Sequence, residues 1–189
     1  AGLLMEQFPQ LDVAGGVTLN RSVGGVNPDA VERSAQAGGR MVWFPTLEAR
    51  AYQRYQHRND PEADLSRFLT VCDEEGELLP QALEVLAAAA RHHMVVGTGH
   101  VGAEEGMALV RAAAERSCTI VLTHADNPAD CYSLEQQEEA AALGAYVEHC
   151  FFTTFHGRTP IGEIARQIRA VGCDRVLLTT DFGQLNSLY

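Results

Sequence analysis

The sequence predicts an α/β fold with a parallel sheet, because six short apolar segments alternate with helical segments along its 189 residues. Most of these segments are apolar at consecutive positions, as expected of strands that are covered on both faces. Strand-helix-strand repetition at such intervals is typical of parallel βαβ units. The predicted strands span residues 13–19, 40–45, 94–98, 119–123, 145–150 and 175–180. The pattern indicates part of a (β/α) barrel, and an open doubly wound sheet remains an alternative on the strand count alone.

Start signals bound the helices between these strands. Each is a capping residue, a first-turn proline or a capping box in front of an apolar stripe of helical period. The signals are Asn27-Pro28, Pro80, Ser133 with Gln136, and Thr159-Pro160. No G-x-G-x-x-G motif follows any predicted strand, so nothing in the sequence indicates a dinucleotide site.

One long connection interrupts the alternation. Residues 47–79 follow the second predicted strand without a clear strand or helix pattern, except for a hairpin predicted around Glu75-Gly76. Such insertions after a barrel strand often form part of an active-site rim, and a solvated excursion is the alternative. We therefore expect a single domain over residues 1–189 with an insertion at about residues 47–79.

Charge and composition narrow the classes of partner. The net charge of −11 argues against nucleic acid, and the 14 basic residues are all arginine. No stretch approaches the roughly 20 apolar residues of a membrane span, and no signal peptide is visible. The five cysteines form no C-x-x-C pair and are expected to be buried, reduced residues. The expected location is the cytoplasm.

Three predicted strands end in a side chain that can bind metal. His100, His124 and Asp181 follow the strands at 94–98, 119–123 and 175–180. Active sites of parallel barrels lie at these carboxyl ends. If period-two alternation turns all three side chains inward, two imidazoles and a carboxylate meet as ligands for a catalytic zinc or similar ion. The alternative is that each histidine only hydrogen-bonds its own loop.

Further candidates lie nearby in the sequence. Glu148 and His149 lie near the end of the fifth predicted strand as potential catalytic residues. Neighbouring residues face opposite sides of a strand, so normally one of them enters the site. His156 and Arg158 lie in the following loop as candidate substrate-binding residues, the arginine for an anionic group.

These residues together resemble the amidohydrolase superfamily, metal-dependent hydrolases with a TIM-barrel fold, in one of its little-characterised branches. The phrases EEGELLP, VVGTGH, VLTHADNP and LLTTDFG carry the likeness. It implies that His100 and His124 end barrel strands five and six as metal ligands, and that Asp181 ends strand eight as a ligand that also handles protons. It further implies an incomplete (β/α)8 TIM barrel containing about strands three to eight. Strand one, which carries the family's H-x-H pair, strand two and the final helix would lie outside this chain.

The resemblance implies a hydrolase in which a divalent metal ion, zinc by expectation, activates water for attack on an amide, ester or related bond of a small molecule. The absence of lysine removes the bridging ligand of a two-metal site from this segment and favours one metal ion. A decarboxylase or isomerase on a similar site and a catalytically degenerate barrel that only binds remain alternatives. Open sheet edges would also permit a homo-oligomer.

Overall fold

Six parallel strands form one sheet in the order in which they occur along the chain. The computed structural model describes residues 1–182. The strands are β1 Gly15–Thr18, β2 Gly39–Trp43, β3 Val95–Gly97, β4 Ile120–Leu122, β5 Tyr146–Cys150 and β6 Val176–Thr179. Each coincides with a segment predicted as a strand, with β2 starting one residue before its predicted segment, so the α/β fold with its parallel sheet is confirmed.

The strand order does not reverse anywhere in the sheet. An open doubly wound sheet has a switch point at which its strand order reverses. Here every strand pairs with its sequence neighbours, from β1 beside β2 to β5 beside β6. This order is compatible with a run of consecutive strands in a TIM barrel.

The helices begin largely where the sequence signals predicted. The Asn27 side chain accepts a hydrogen bond from the Asp29 N–H, and Ser133 and Gln136 form the reciprocal capping box. Pro80 occupies the first turn of its helix. The helices are α1 Gly2–Gln7, α2 Pro28–Gln36, α3 Arg50–Gln56, α4 Pro80–Arg91, α5 Ala103–Glu115, α6 Leu134–Ala142, α7 Phe151–Phe155 and α8 Ile161–Val171, with short 3-10 turns at Arg21–Val23 and Cys173–Arg175.

The core lies between one face of the sheet and the helices that cover it. Val42, Val96, Leu122 and Val147 are fully buried on four neighbouring strands. They belong to one apolar cluster with residues of helices α2, α4 and α5, for example Val31, Val85, Leu86, Met107 and Leu109. This packing fixes which strand residues face the helices and leaves the alternate residues for the opposite face.

The connection 47–79 contains more structure than its sequence indicated. It carries helix α3, and a bridge between Cys72 and Leu78 closes the predicted hairpin around Gly76, whose φ is +87°. Ala49 forms a parallel bridge with Leu69, which ties the start of the connection to a segment twenty residues further along it. Leu47 and Tyr52 extend from it to the carboxyl ends of the strands.

Two general expectations can be compared with the described part of the chain. Within residues 1–182 no helix has the length and apolar character needed to cross a lipid bilayer. All five cysteines are free, and Cys72, Cys118 and Cys150 are buried as expected, whereas Cys131 and Cys173 are exposed.

Candidate functional site

A cavity of about 630 Å³ opens at the carboxyl ends of the strands. Its volume is in the range of small-molecule sites. Every strand supplies part of its wall near or just beyond its carboxyl end. The contributing residues are Thr18, Trp43, His100, Thr123, His124, Glu148, Cys150, Thr179 and Asp181.

His100 and His124 reach this cavity by a different route from the predicted alternation. Val96, Ile120 and Leu122, which strict alternation would place on the same faces as the two histidines, pack in the core beside the helices. Period-two alternation alone therefore does not turn the two histidines toward the cavity. The chain instead turns at Gly99, with φ +66°, and at His124 itself, with φ +49°. An added Cβ at Gly99 would lie 2.3 Å from the Phe44 carbonyl oxygen, so this turn needs glycine.

His124 lies between two carboxylates. Its Nδ1 is 3.3 Å from Oε2 of Glu148, and its Nε2 is 3.7 Å from Oδ2 of Asp181. Its backbone N–H also donates to the same Glu148 oxygen at 3.2 Å. Only 12% of the imidazole is exposed. His124 thus links the end of β4 to β5 through Glu148 and faces Asp181 at the end of β6.

Glu148 is held by both of its oxygens. Oε1 accepts a hydrogen bond of 3.0 Å from the Thr179 hydroxyl, while Oε2 receives the contacts of His124. Burial favours the neutral acid, but the contacts with His124 outweigh it and lower the pKa of Glu148 below its ordinary value. The carboxylate is therefore charged and fixed in orientation near neutral pH.

His100 lies beside His124 at the cavity wall. The two ring centroids are 5.6 Å apart, and Tyr52 stacks on the other side of His100 at 5.0 Å. Burial, with smaller effects of His124 and Arg158, lowers the pKa of His100 to about 3, so the ring is neutral. Its Nδ1 is buried with no hydrogen-bond partner among the described residues.

The imidazole of His124 has the opposite tendency. Burial opposes its positive charge, but the adjacent Cys150 and Glu148 outweigh burial and raise the pKa of His124 to about 11. The surroundings of His124 thus favour a positive charge at this position. A metal cation is another species that such surroundings stabilise.

His124, Cys150 and Asp181 form a cluster of potential metal ligands. One donor atom of each lies within 4.8 Å of the donor atoms of the other two. Ligand atoms on a tetrahedral zinc ion are roughly 3–4 Å apart, so the cluster needs only slight contraction to close on one ion. Imidazole nitrogen, thiolate sulfur and carboxylate oxygen are all zinc ligands. The residues present therefore fit a divalent metal ion of this type.

Sequence reasoning missed Cys150. Its isolated position in an apolar segment indicated a buried small residue, and it is indeed only 2% exposed. Strand alternation contained the missing signal, because Glu148 and Cys150 are two residues apart on β5 and share its cavity face.

The remaining predicted residues separate into two groups. Glu148 and Arg158 line the cavity, and the Arg158 guanidinium lies 5.4 Å from the centre of the Phe152 ring. His149 does not, since it is buried on the other face of β5 with its Nδ1 3.1 Å from Oδ1 of Asp126. His156 is exposed at the end of α7 and does not line the cavity, although its ring contacts that of the cavity residue Phe152. Residues 151–155, expected to be part of a loop, form helix α7, which precedes His156 and Arg158 and sets their positions.

The fold and the cavity define the class of this protein: an α/β protein with an amidohydrolase-like fold and a polar site at the carboxyl ends of parallel strands. The chain belongs to the family described as "Family of unknown function (DUF6282)", whose model matches residues 1–148.

A solved structure of an amidohydrolase from Pseudomonas aeruginosa is similar to this chain, with a TM-score of 0.59 and 19% sequence identity. The similarity covers 85% of this chain and 48% of that one, so this chain spans about half the length of its structural relative. At this identity the likeness concerns the fold alone. No curated protein sequence matches the chain.

Proposed function

We propose that this chain supplies part of the active site of a metal-dependent hydrolase that acts on a small molecule. The observation that carries the proposal is the convergence of His124, Cys150 and Asp181 from the ends of three neighbouring strands. If these three residues served only to stabilise the fold, three different metal-binding side chains would not need to meet at one cavity wall. The amidohydrolase-like fold supports the same conclusion, because catalytic groups in such folds gather at this end of the sheet.

We also propose that the six strands are strands three to eight of a (β/α)8 barrel. The uninterrupted strand order supports this proposal, as does the greater length of the similar solved chain. Additional ligands would then come from barrel strands outside the described residues.

The side chains of the cavity have separate roles in this hydrolase. A bound divalent ion would act as a Lewis acid and lower the pKa of water towards about 7. Asp181 would bind the ion, take the proton from the attacking water and pass it to the leaving group. Glu148 would orient His124 from the side opposite Asp181. His100, whose ring is neutral and whose Nδ1 has no hydrogen-bond partner among the described residues, would serve as a ligand or as a donor to substrate.

Arg158 would bind an anionic group of the substrate. Among the described residues that line the cavity, Arg158 is the only arginine, and the chain contains no lysine. Its neighbours there include Trp43, Tyr52 and Phe152, which offer flat apolar surfaces. The bond hydrolysed would be an amide, an ester or a related bond.

The test is hydrolysis of a panel of amides, esters and lactones by the full-length protein before and after removal of metal with a chelator. Activity should disappear with the metal and return with zinc. Asp181→Asn should lower kcat about 100-fold or more, whereas the exposed Asp174→Asn should not. Arg158→Ala should raise KM for anionic members of the panel only. Full activity in metal-free protein would contradict the proposal.

A further inference from the structure

We propose that Cys150 binds the metal ion as a thiolate, so that the centre combines nitrogen, sulfur and oxygen ligands from His124, Cys150 and Asp181. This inference rests on the metal centre of the proposed function and specifies its chemistry. It replaces a site of imidazole and carboxylate alone with one that carries a soft ligand.

The position of Cys150 supports this role. It is the last residue of β5, on the face that carries Glu148, and it lines the cavity while only 2% of its surface is exposed. Its Sγ lies 3.1 Å from the Thr153 hydroxyl, which holds the side chain in one orientation. The sulfur is one of the three donor atoms within 4.8 Å of each other.

The other buried cysteines provide a comparison within the same chain. Cys118 belongs to the apolar core, and burial alone raises the pKa of its thiol to about 11. Cys72 is also a core residue, with its pKa raised to about 11 chiefly by burial. Neither lies in the group of potential metal ligands. Cys150 differs because an imidazole and a carboxylate converge on its sulfur.

Thiolate ligation releases one proton and determines which metal ions the site prefers. The Cys150 thiol loses its proton to solvent as the sulfur–metal bond forms, with no change of oxidation state. A thiolate favours zinc and its spectroscopic substitute Co²⁺ over Mg²⁺ or Ca²⁺, which prefer oxygen ligands. The expected metal is therefore zinc or a similar borderline ion, and excess Mg²⁺ should not displace it.

Absorption spectra of the Co²⁺-loaded full chain test this assignment without an enzymatic assay. Sulfur bound to Co²⁺ gives a charge-transfer band in the near ultraviolet, and nitrogen and oxygen ligands do not. Wild type and Cys173→Ser, a control at an exposed cysteine, should both show the band. Cys150→Ser should lack it. Its Zn²⁺ affinity should fall by more than the roughly 10- to 100-fold typical of losing an outer hydrogen-bond partner.

Each result has one interpretation. Binding of Co²⁺ to wild type without the band, or a band that persists in Cys150→Ser, would overturn the thiolate ligand and leave the metal centre intact. Failure of wild type to bind either Co²⁺ or Zn²⁺ would overturn the proposed function as well. If Cys150→Ser lacks the circular dichroism spectrum of wild type, Cys150→Ala replaces it, because alanine leaves no unpaired polar group at this buried position.

Discussion

At the scale of single residues, His124 organises the candidate site. Among the described residues it is the member of the donor cluster that also contacts Glu148, so the orientation of its ring depends on that carboxylate. In metal centres the second nitrogen of a histidine ligand commonly faces a carboxylate, which fixes the ring and increases its basicity. The arrangement of Glu148, His124 and Asp181 has this form.

We therefore expect Glu148→Gln to weaken zinc binding about 10- to 100-fold, because the amide keeps the size of the side chain and removes its charge. Isothermal titration calorimetry on the metal-free protein measures the change. Glu138→Gln, at an exposed position on α6, is the matched control and should bind zinc as wild type does. Equal affinities in all three proteins would show that Glu148 does not support the metal centre.

Much of this site could be read from the sequence, and the exceptions have physical causes. The sequence predicted His100, His124, Asp181, Glu148 and Arg158 as site residues, and all five line the cavity. The choice between Glu148 and His149 depends on which face of β5 meets the helices, and this is a property of tertiary packing. The positive φ of His124 is likewise set by its surroundings, so alternation could not predict the direction of its side chain.

At the scale of secondary-structure elements, the packing around two helical glycines determines the effect on stability of replacing each with alanine. Gly106 lies in α5 against the buried ring of Tyr132, where an added Cβ would be 1.9 Å from the phenol oxygen. Gly162 lies in α8, and a Cβ added there would have no neighbour within 4 Å among the described residues. Helix propensity alone would favour alanine at both positions.

The substitution Gly106→Ala should lower the free energy of unfolding by about 1–3 kcal/mol, because overpacking at Tyr132 exceeds the gain in helix propensity. Gly162→Ala should instead raise it by up to about 1 kcal/mol. Urea denaturation followed by circular dichroism gives both values. A stabilising effect of Gly106→Ala would mean that α5 and Tyr132 are not packed as described.

The contact between α2 and α4 provides a prediction about pH. Glu32 on α2 pairs with His92, whose Nε2 is 2.6 Å from Oε2, and with Arg91. These two partners lower the pKa of Glu32 from its ordinary value of 4.5. A lowered pKa stabilises the fold above the unfolded-state pKa, and the contribution disappears as the pH falls through the folded-state pKa.

Thermal unfolding of Glu32→Gln at a series of pH values checks this. The variant should melt slightly below wild type at neutral pH, and the difference should shrink as the pH falls below 4.5 and vanish once it passes the lowered folded-state pKa of Glu32. The control is Glu84→Gln, on an exposed part of α4. A difference that stays constant from neutral to acid pH would rule out the ion pair as its cause.

Element boundaries were predictable to different extents for identifiable reasons. The capping box at Ser133 and the N-cap at Asn27 act within a few residues, and both are present as predicted. Helix α3 was not predicted, because its residues Arg50–Gln56 show no apolar stripe and none of them is buried. Its terminal contacts are with other parts of the chain, such as the hydrogen bond from the Arg50 N–H to the Leu69 carbonyl.

At the scale of the whole molecule, the uninterrupted order of six parallel strands brings distant segments to one cavity. Residues from Thr18 to Asp181 meet there because all strands run in the same direction and end at the same edge. The repetition of strand and helix predicted this arrangement from the sequence. The wall of the cavity toward the insertion was not predictable in detail, since Tyr52 reaches His100 from a helix that the sequence did not indicate.

The metal content of the full chain tests the central claim most directly. Purified wild type is loaded with zinc, freed of excess metal and analysed by mass spectrometry of the elements, beside the double variant His124→Ala, Asp181→Ala. We expect about one zinc ion per wild-type chain and almost none in the variant, since two of its ligands are gone. Wild type that retains no zinc, or a variant that retains as much as wild type, would contradict a metal centre at these strand ends.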